Sequence, residues 1–296
     1  MSARHPIIAV TGSSGAGTTR VSQTFEQIFW REEVNAVFVE GDSFHRFTRS
    51  EMLRQIAAAE RDGRRPPSHF GPEGNDFSAL EALFKEYSEN AQGRFCRYIH
   101  DEVEAAQWGG EVGGFSKWEE IAEGTDLLLY EGLHGAVVAE GVDVSRYPDL
   151  IIGVVPTINL EWIQKLNRDT KKRGYSREAV TNTILRRMHD YAHYIAPQFS
   201  RTHINFQRVP VVDTSNPFTA RDIPSQDESF VVIRFANPRG VDFPYLLNMI
   251  DNSFMSRANT IVIPGGNMPL AMQLILTPLI WKLVEQGRKI RSGTRG

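Results

Sequence analysis

The stretch Thr11-Gly12-Ser13-Ser14-Gly15-Ala16-Gly17-Thr18-Thr19 constrains this chain more than any other, because of what flanks it. It follows the apolar run Ile7-Ile8-Ala9-Val10 and leads into Val21, Phe25 and Ile28, which reads strand, glycine loop, helix. Glycines let the backbone turn so that successive N–H groups and a helix N-terminus face one anion, and nucleotide phosphates are the expected occupant. The G-x-x-x-x-G-K-[ST] pattern is incomplete, since Thr18 stands in the lysine place. A cation must then come from elsewhere, while Thr19 keeps the hydroxyl that ordinarily ligates Mg²⁺. A glycine turn with only a structural role is the alternative.

With 296 residues, 41% of them hydrophobic, the chain can bury a large core as one α/β domain or two small ones. A net charge of −3 argues against a general nucleic-acid or membrane-surface binder. Cys96 is the only cysteine, so no intramolecular disulfide or thiolate zinc site can form, which fits a reducing cytoplasm. Neither a signal peptide nor a membrane span is expected: the longest apolar stretch, Leu270–Val284, is interrupted by Gln273, Thr277, Pro278 and Lys282.

Ala36-Val37-Phe38-Val39 predicts a second buried strand beside the first, ending at Glu40-Gly41-Asp42-Ser43-Phe44-His45. Charged residues past a strand's carboxyl end lie where open α/β sheets bind ligands. Asp42 is therefore a candidate general base, with His45 and Arg49 as candidate ligands for an anionic substrate. Its competing role is a cap for the helix that follows. A basic loop from Arg61 to Pro67 and an irregular stretch from His69 to Glu73 precede a helix through Leu80, Leu83, Phe84 and Tyr87. Phe95–His100 reads as a half-exposed strand bringing Arg97, Tyr98 and His100 together, and Trp108–Trp118 as a loop or hairpin.

Leu127-Leu128-Leu129-Tyr130 followed by Glu131-Gly132 is an apolar strand ending in an acid and a glycine turn. Glu131 is a candidate Mg²⁺ ligand, or an ordinary strand-end charge. Leu150–Val155 predicts another interior strand, closed by Pro156, with Asn159 capping a helix from Leu160. Lys165 and Asp169 share a face of that helix, with Arg168 adjacent. A second helix from Ser176 carries Arg186 and Arg187 and should stop before Pro197. Lys165, Arg168, Arg173, Arg186 and Arg187 could replace the missing lysine and close over phosphates as a lid, or form a salt-bridged solvated face.

Val209–Thr214, Phe230–Phe235 and Thr260–Ile263 predict further strands, the first at an edge because of Pro210. Asn237–Tyr245 reads as a turn, Ala271–Val284 as a final amphipathic helix, and Arg288–Gly296 as a frayed tail. Arg234 is a candidate for an effector or subunit surface.

Taken together, these stretches resemble the bacterial phosphoribulokinase family along nearly the whole chain. The likeness rests on Gly12–Thr19, Gly41–Phe47, Tyr130–Gly135, Arg168-Asp169 with Arg173-Gly174-Tyr175, Asn205–Pro210 and Pro238–Tyr245. It implies a single domain over 1–296, a mixed, mainly parallel sheet flanked by helices as in nucleoside monophosphate kinases, with a helical lid around 160–197. It also implies ATP on Gly12–Thr19, Asp42 as base for the C1 hydroxyl of ribulose 5-phosphate, and Glu131 and Asp169 at the Mg²⁺ and transfer site. His45, Arg49, His100 and Arg173 would contact the sugar phosphate, while Lys165 and Arg168 steady the transferring group; Tyr98, Arg186 and Arg187 are added as candidate substrate contacts from their place in the chain rather than from the resemblance. NADH activation, AMP inhibition and a homo-octamer complete what the family implies. A uridine kinase-like enzyme and a non-catalytic nucleotide sensor are the alternatives.

Overall fold

The computed structural model describes residues 4–12, 18–139, 141–171 and 174–293, with the backbone alone at 18–20 and 22. Among these residues eight strands make one sheet: β1 (Ile7–Gly12), β2 (Ala36–Glu40), β3 (Leu127–Gly132), β4 (Leu150–Pro156), β5 (Ile204–Pro210), β6 (Ser229–Phe235), β7 (Phe254–Arg257) and β8 (Thr260–Pro264). Their order is β7-β8-β6-β5-β4-β1-β3-β2. The five strands from β2 to β5 run parallel, and β6, β8 and β7 continue the sheet antiparallel.

The parallel strands are apolar at nearly every position because helices cover both faces. Ile8, Val10, Leu127, Leu129, Ile152 and Val154 point to one face, where Val21, Phe25 and Ile28 of helix α1 (Thr18–Arg31) pack. Ile7, Ala9, Val39, Leu128 and Tyr130 point to the other, against Leu80, Leu83, Phe84 and Tyr87 of a helix spanning Phe77–Asn90. Two-residue alternation along each strand thus divides the core into two layers.

Several local expectations are corrected. Strand β2 does not lie beside β1; β3 inserts between them, because parallel neighbours need long crossovers and chain order does not set sheet order. Strand β5 is interior, although Pro210 suggested an edge. Its pairing with β4 ends at Arg208, so Pro210 has no ladder bond to lose on that side. Of the expected 95–100 strand only Phe95 joins a ladder, in the two-residue strand Arg94–Phe95 that pairs with Glu119–Glu120. Glu102–Trp108, unassigned from the sequence, is a helix capped by Asp101.

The helix expected from Leu160 begins at Ile158, which places Asn159 inside it rather than at its cap. Helical turns run past Pro197 to Ser200, since proline is tolerated in the first turn of the 3₁₀ segment Ala196–Ser200. Phe243–Met249, within and beyond the expected turn, is a short helix. The final helix spans Met268–Arg291 and is apolar and long enough on composition to cross a membrane. Here its Ala271, Met272, Ile275, Leu276, Ile280 and Val284 join the core. Of the tail expected to fray, the described part is held: Arg288 and Arg291 both bind the Asp126 carboxylate, at 2.6 and 3.0 Å, while 294–296 lie outside the described residues. Arg234 is tied inward, donating to the Phe199 carbonyl at 3.0 Å.

Candidate active site

Residues Glu40 of β2, Glu131 of β3 and Val10 of β1 lie side by side, so these three strands end together. A Cβ on Gly12 would sit 2.7 Å from the carbonyl oxygen of Val154, its partner on β4, so the end of β1 can pair this closely only with glycine. From Glu40 the chain passes into the 3₁₀ turn Gly41–Phe44, which projects Asp42 over the same carboxyl edge. Asp42 does not cap the next helix. That helix, α2 (Arg49–Arg61), is capped by Thr48, whose hydroxyl and Glu51 form a reciprocal capping box.

Both carboxylate oxygens of Asp42 face histidines: Oδ1 lies 3.2 Å from His45 Nε2, and Oδ2 3.5 Å from His100 Nε2. Burial alone would raise the Asp42 pKa. Attraction and hydrogen bonding to His45, with the charge of His100, outweigh it and hold the carboxyl well below its ordinary range. Burial likewise opposes charge on His45, yet Asp42 and Asn75 raise its pKa. The His69 ring packs against His45 at a tilt, centroids 4.2 Å apart, and is kept neutral by burial and by the charges of His45 and Arg187. The Tyr98 ring stands 5.6 Å from His45 and 5.1 Å from His100.

A helical segment supplies the facing wall. On helix α3 (Ile158–Lys171), Lys165 Nζ donates to Asp169 Oδ2 at 2.6 Å, and Arg168 Nε to Asp169 Oδ1 at 3.0 Å. Lys165 and Asp169 side chains are 9% and 6% exposed, so the pair is enclosed. Burial and then Arg187 lower the lysine to about 8 against the pull of Asp169. Asp169 is held down by Lys165 and Arg168, although burial opposes this. Helix α4 (Arg177–Arg186) starts at the Ser176 cap. Its Arg186 reaches Glu60 of α2 at 3.1 Å, and the Arg187 guanidinium lies over the Phe70 ring at 5.5 Å.

These walls enclose one cavity of about 460 Å³. Asp42, His45, Arg49, Tyr98 and His100 line one side; Lys165, Arg168, Asp169, Arg186 and Arg187 line the other. Residues far apart in sequence thus converge, with cations outnumbering carboxylates. Glu131 stands on the adjoining strand end rather than in the cavity wall. Arg97 turns away to stack over Trp108 at 4.8 Å. Ser13, Ser14, Gly15, Ala16, Gly17 and Arg173 lie outside the described residues, as do the side chains of Thr18 and Thr19.

Two participants escaped the sequence reading. His69 lines the cavity, and Asn75, 1% exposed, contacts His45. Their signal was a histidine and an asparagine within a glycine- and proline-rich excursion. Which of its polar groups turn inward depends on contacts with distant segments, notably Asp190, which accepts from Ser68 at 2.6 Å.

Against known proteins, the profile of the Phosphoribulokinase / Uridine kinase family matches residues 7–215. The chain belongs to that family. It is similar to the chromosomal phosphoribulokinase of Cupriavidus necator, 63% identical over 98% of this chain and 99% of that one. The phosphoribulokinase of Nitrobacter vulgaris is 60% identical over 97% and 99% of the two chains. The solved phosphoribulokinase from Rhodobacter spheroides superposes with a TM-score of 0.89 at 56% identity, covering 97% of this chain and 99% of that one. Membership of the phosphoribulokinase / uridine kinase family makes this a phosphoryl-transferring enzyme on a P-loop kinase fold.

Proposed function

We propose that this enzyme transfers the γ-phosphoryl group of ATP to the C1 hydroxyl of ribulose 5-phosphate, giving ribulose 1,5-bisphosphate and ADP. The observation that carries this is the single cavity that sets the His45–Asp42–His100 cluster against Lys165, Arg168, Arg186 and Arg187. The 60–63% identity to relatives named phosphoribulokinase supports the choice of acceptor. A cation-rich cavity also favours an acceptor that already bears phosphate over an uncharged nucleoside.

Phosphoryl transfer needs alignment, charge neutralisation and a carboxylate at the attacking hydroxyl. Asp42, held between two histidines, takes the hydroxyl proton. Its resting basicity is low, but a sugar phosphate brought beside His45 offsets the imidazolium's pull and raises it. Lys165 and Arg168 stabilise charge on the phosphoryl oxygens and supply the cation that Thr18 lacks. His45, Arg49, His100, Tyr98, Arg186 and Arg187 orient the sugar phosphate, together with Arg173. ATP rests on Gly12–Thr19, and the segment 160–197 acts as the lid of a single domain.

Glu131, at the end of β3, and Asp169, on α3, would suit Mg²⁺ as hard oxygen donors, with the Thr19 hydroxyl. Among the described residues no three His, Cys, Asp or Glu side chains converge as a cage, in keeping with an ion that draws most ligands from phosphates and water. Bound there, it would neutralise phosphate charge. Activation by NADH and an octameric assembly are proposed from the resemblance, a cytoplasmic setting from the lone cysteine, and the absence of nucleic-acid or membrane partners from the net charge of −3.

A coupled ADP-release assay with Mg²⁺-ATP tests the proposal, run on ribulose 5-phosphate and uridine side by side, with and without NADH. Turnover of the sugar phosphate alone is expected. Turnover of uridine alone, or ATP binding without transfer to either, would overturn it.

A further inference from the structure

Asn75 sits beneath the cavity floor in the loop between α2 and the Phe77–Asn90 helix, and its hydrogen bonds leave no choice of orientation. Its amide nitrogen donates to the carbonyls of His69 and Gly71, at 3.0 and 2.8 Å. Its backbone bridges His45, and its own carbonyl accepts from Arg46 Nε at 2.9 Å. With both amide hydrogens committed, the Oδ1 that meets His45 Nδ1 at 2.9 Å can only accept. The opposite ring nitrogen, Nε2, faces Asp42 Oδ1, another pure acceptor. An imidazole between two acceptors satisfies both only when each nitrogen carries a proton.

We infer that Asn75 is a positioning residue for the transfer proposed above, an assignment resting on that reading: it offers His45 an acceptor and nothing else, so the ring stays a double donor. One N–H and one positive charge then remain aimed at the Asp42 carboxylate and at the site of the incoming sugar phosphate. The other groups around His45 leave this role to Asn75 and Asp42. His69 is neutral, Tyr98 presents a ring, Arg187 opposes the imidazolium charge, and burial holds His134 down at about 3. Without Asn75 Oδ1, a neutral ring protonated at Nε2 alone would still bond Asp42, and the charge would be lost.

The test begins with ¹⁵N-detected imidazole NMR of the whole protein, with His45 assigned by comparison with His45→Gln. In the unsubstituted enzyme at neutral pH both His45 nitrogens should carry hydrogens; a neutral tautomer there overturns the inference even if no variant folds. In Asn75→Leu the His45 titration should move acidward by about one pH unit. The alkaline limb of kcat/KM for ribulose 5-phosphate should follow it, the loss growing from about twofold at the new midpoint towards tenfold above the original one, with the KM for ATP unchanged. Asn75→Asp, which keeps an acceptor and adds a negative charge while losing both donors, should carry the His45 titration back alkaline, and the limb with it. An unmoved titration in Asn75→Leu overturns the positioning role, and a moved titration with an unmoved rate profile overturns its use in catalysis. Failure of the unsubstituted enzyme to phosphorylate ribulose 5-phosphate would instead sink the activity while leaving the NMR result standing.

Discussion

Gly41 and Gly132 meet so closely that a Cβ on Gly41 would lie 2.9 Å from the Gly132 Cα and 2.5 Å from the Tyr130 hydroxyl. The turn that carries Asp42 is thereby seated against the end of β3. Gly41→Ala should displace it, lowering kcat at least tenfold and costing about 1–3 kcal/mol of stability. Steady-state kinetics beside urea unfolding would show this, and an alanine variant with normal kcat would refute the seating.

Asp42→Asn removes the proposed proton acceptor while keeping its size. Turnover should fall by about 10²–10⁴. ATP affinity, measured by calorimetry, should change little, because Asp42 is assigned to the acceptor hydroxyl and not to the nucleotide. A loss of ATP binding comparable to the loss of rate would show that the carboxylate serves the nucleotide instead.

Lys165, brought down to about 8 chiefly by burial, sets a pH limit. The kcat/KM for ATP, which reports the free enzyme, should decline about tenfold per pH unit above that value as the ammonium is lost. Stability should respond in the opposite sense. Between about 8 and 10.5 the unfolded chain holds this proton while the folded one has released it, so the contribution of Lys165 rises with pH. Lys165→Arg should carry the descending limb out of range at a lower overall rate. A wild-type kcat/KM for ATP flat to pH 9.5 would contradict the assignment.

Asp126, with a side chain 10% exposed, binds Arg288 and Arg291 and fastens the last helix to the start of β3. Burial opposes its ionisation, but the Arg288 hydrogen bond and the Asn35 N–H lower its pKa. A depressed carboxylate adds stability above its unfolded value of 3.8, and that stability is lost as pH falls through the folded value. Asp126→Ala should therefore cost about 1–3 kcal/mol near neutrality, the guanidiniums being partly in water. It should also flatten the acid decline in melting temperature. An unchanged melting curve at both pH 7 and pH 4 would count against the clamp.

Arg186 pairs with Glu60, a side chain 55% exposed, and this joins α4 to α2 across the cavity mouth. Such a pair holds weakly. Glu60→Ala should change kcat and the KM for ribulose 5-phosphate by less than about threefold, whereas Arg49→Ala should raise that KM by at least tenfold. Equal effects in the two variants would mean that Arg186 acts through its tether.

Much of the fold was legible in local pattern. Unbroken apolar runs at 7–10, 127–130 and 150–155 gave the parallel strands, since a strand buried on both faces has no polar side to show. The spacing of Lys165 and Asp169 placed them on one helical face, where they do pair. Ser176 read correctly as the start of its helix. Tertiary structure alone decided that β3 separates β1 from β2, that Pro210 ends an interior strand, and that Arg288 is clamped rather than loose. It alone brought Asn75 and His69 under His45. Hydrophobic period and cap residues act over a few neighbours, so a sequence states them directly. Strand order and the aim of a buried amide are set by contacts between segments dozens of residues apart, which exist only once the chain has closed on itself.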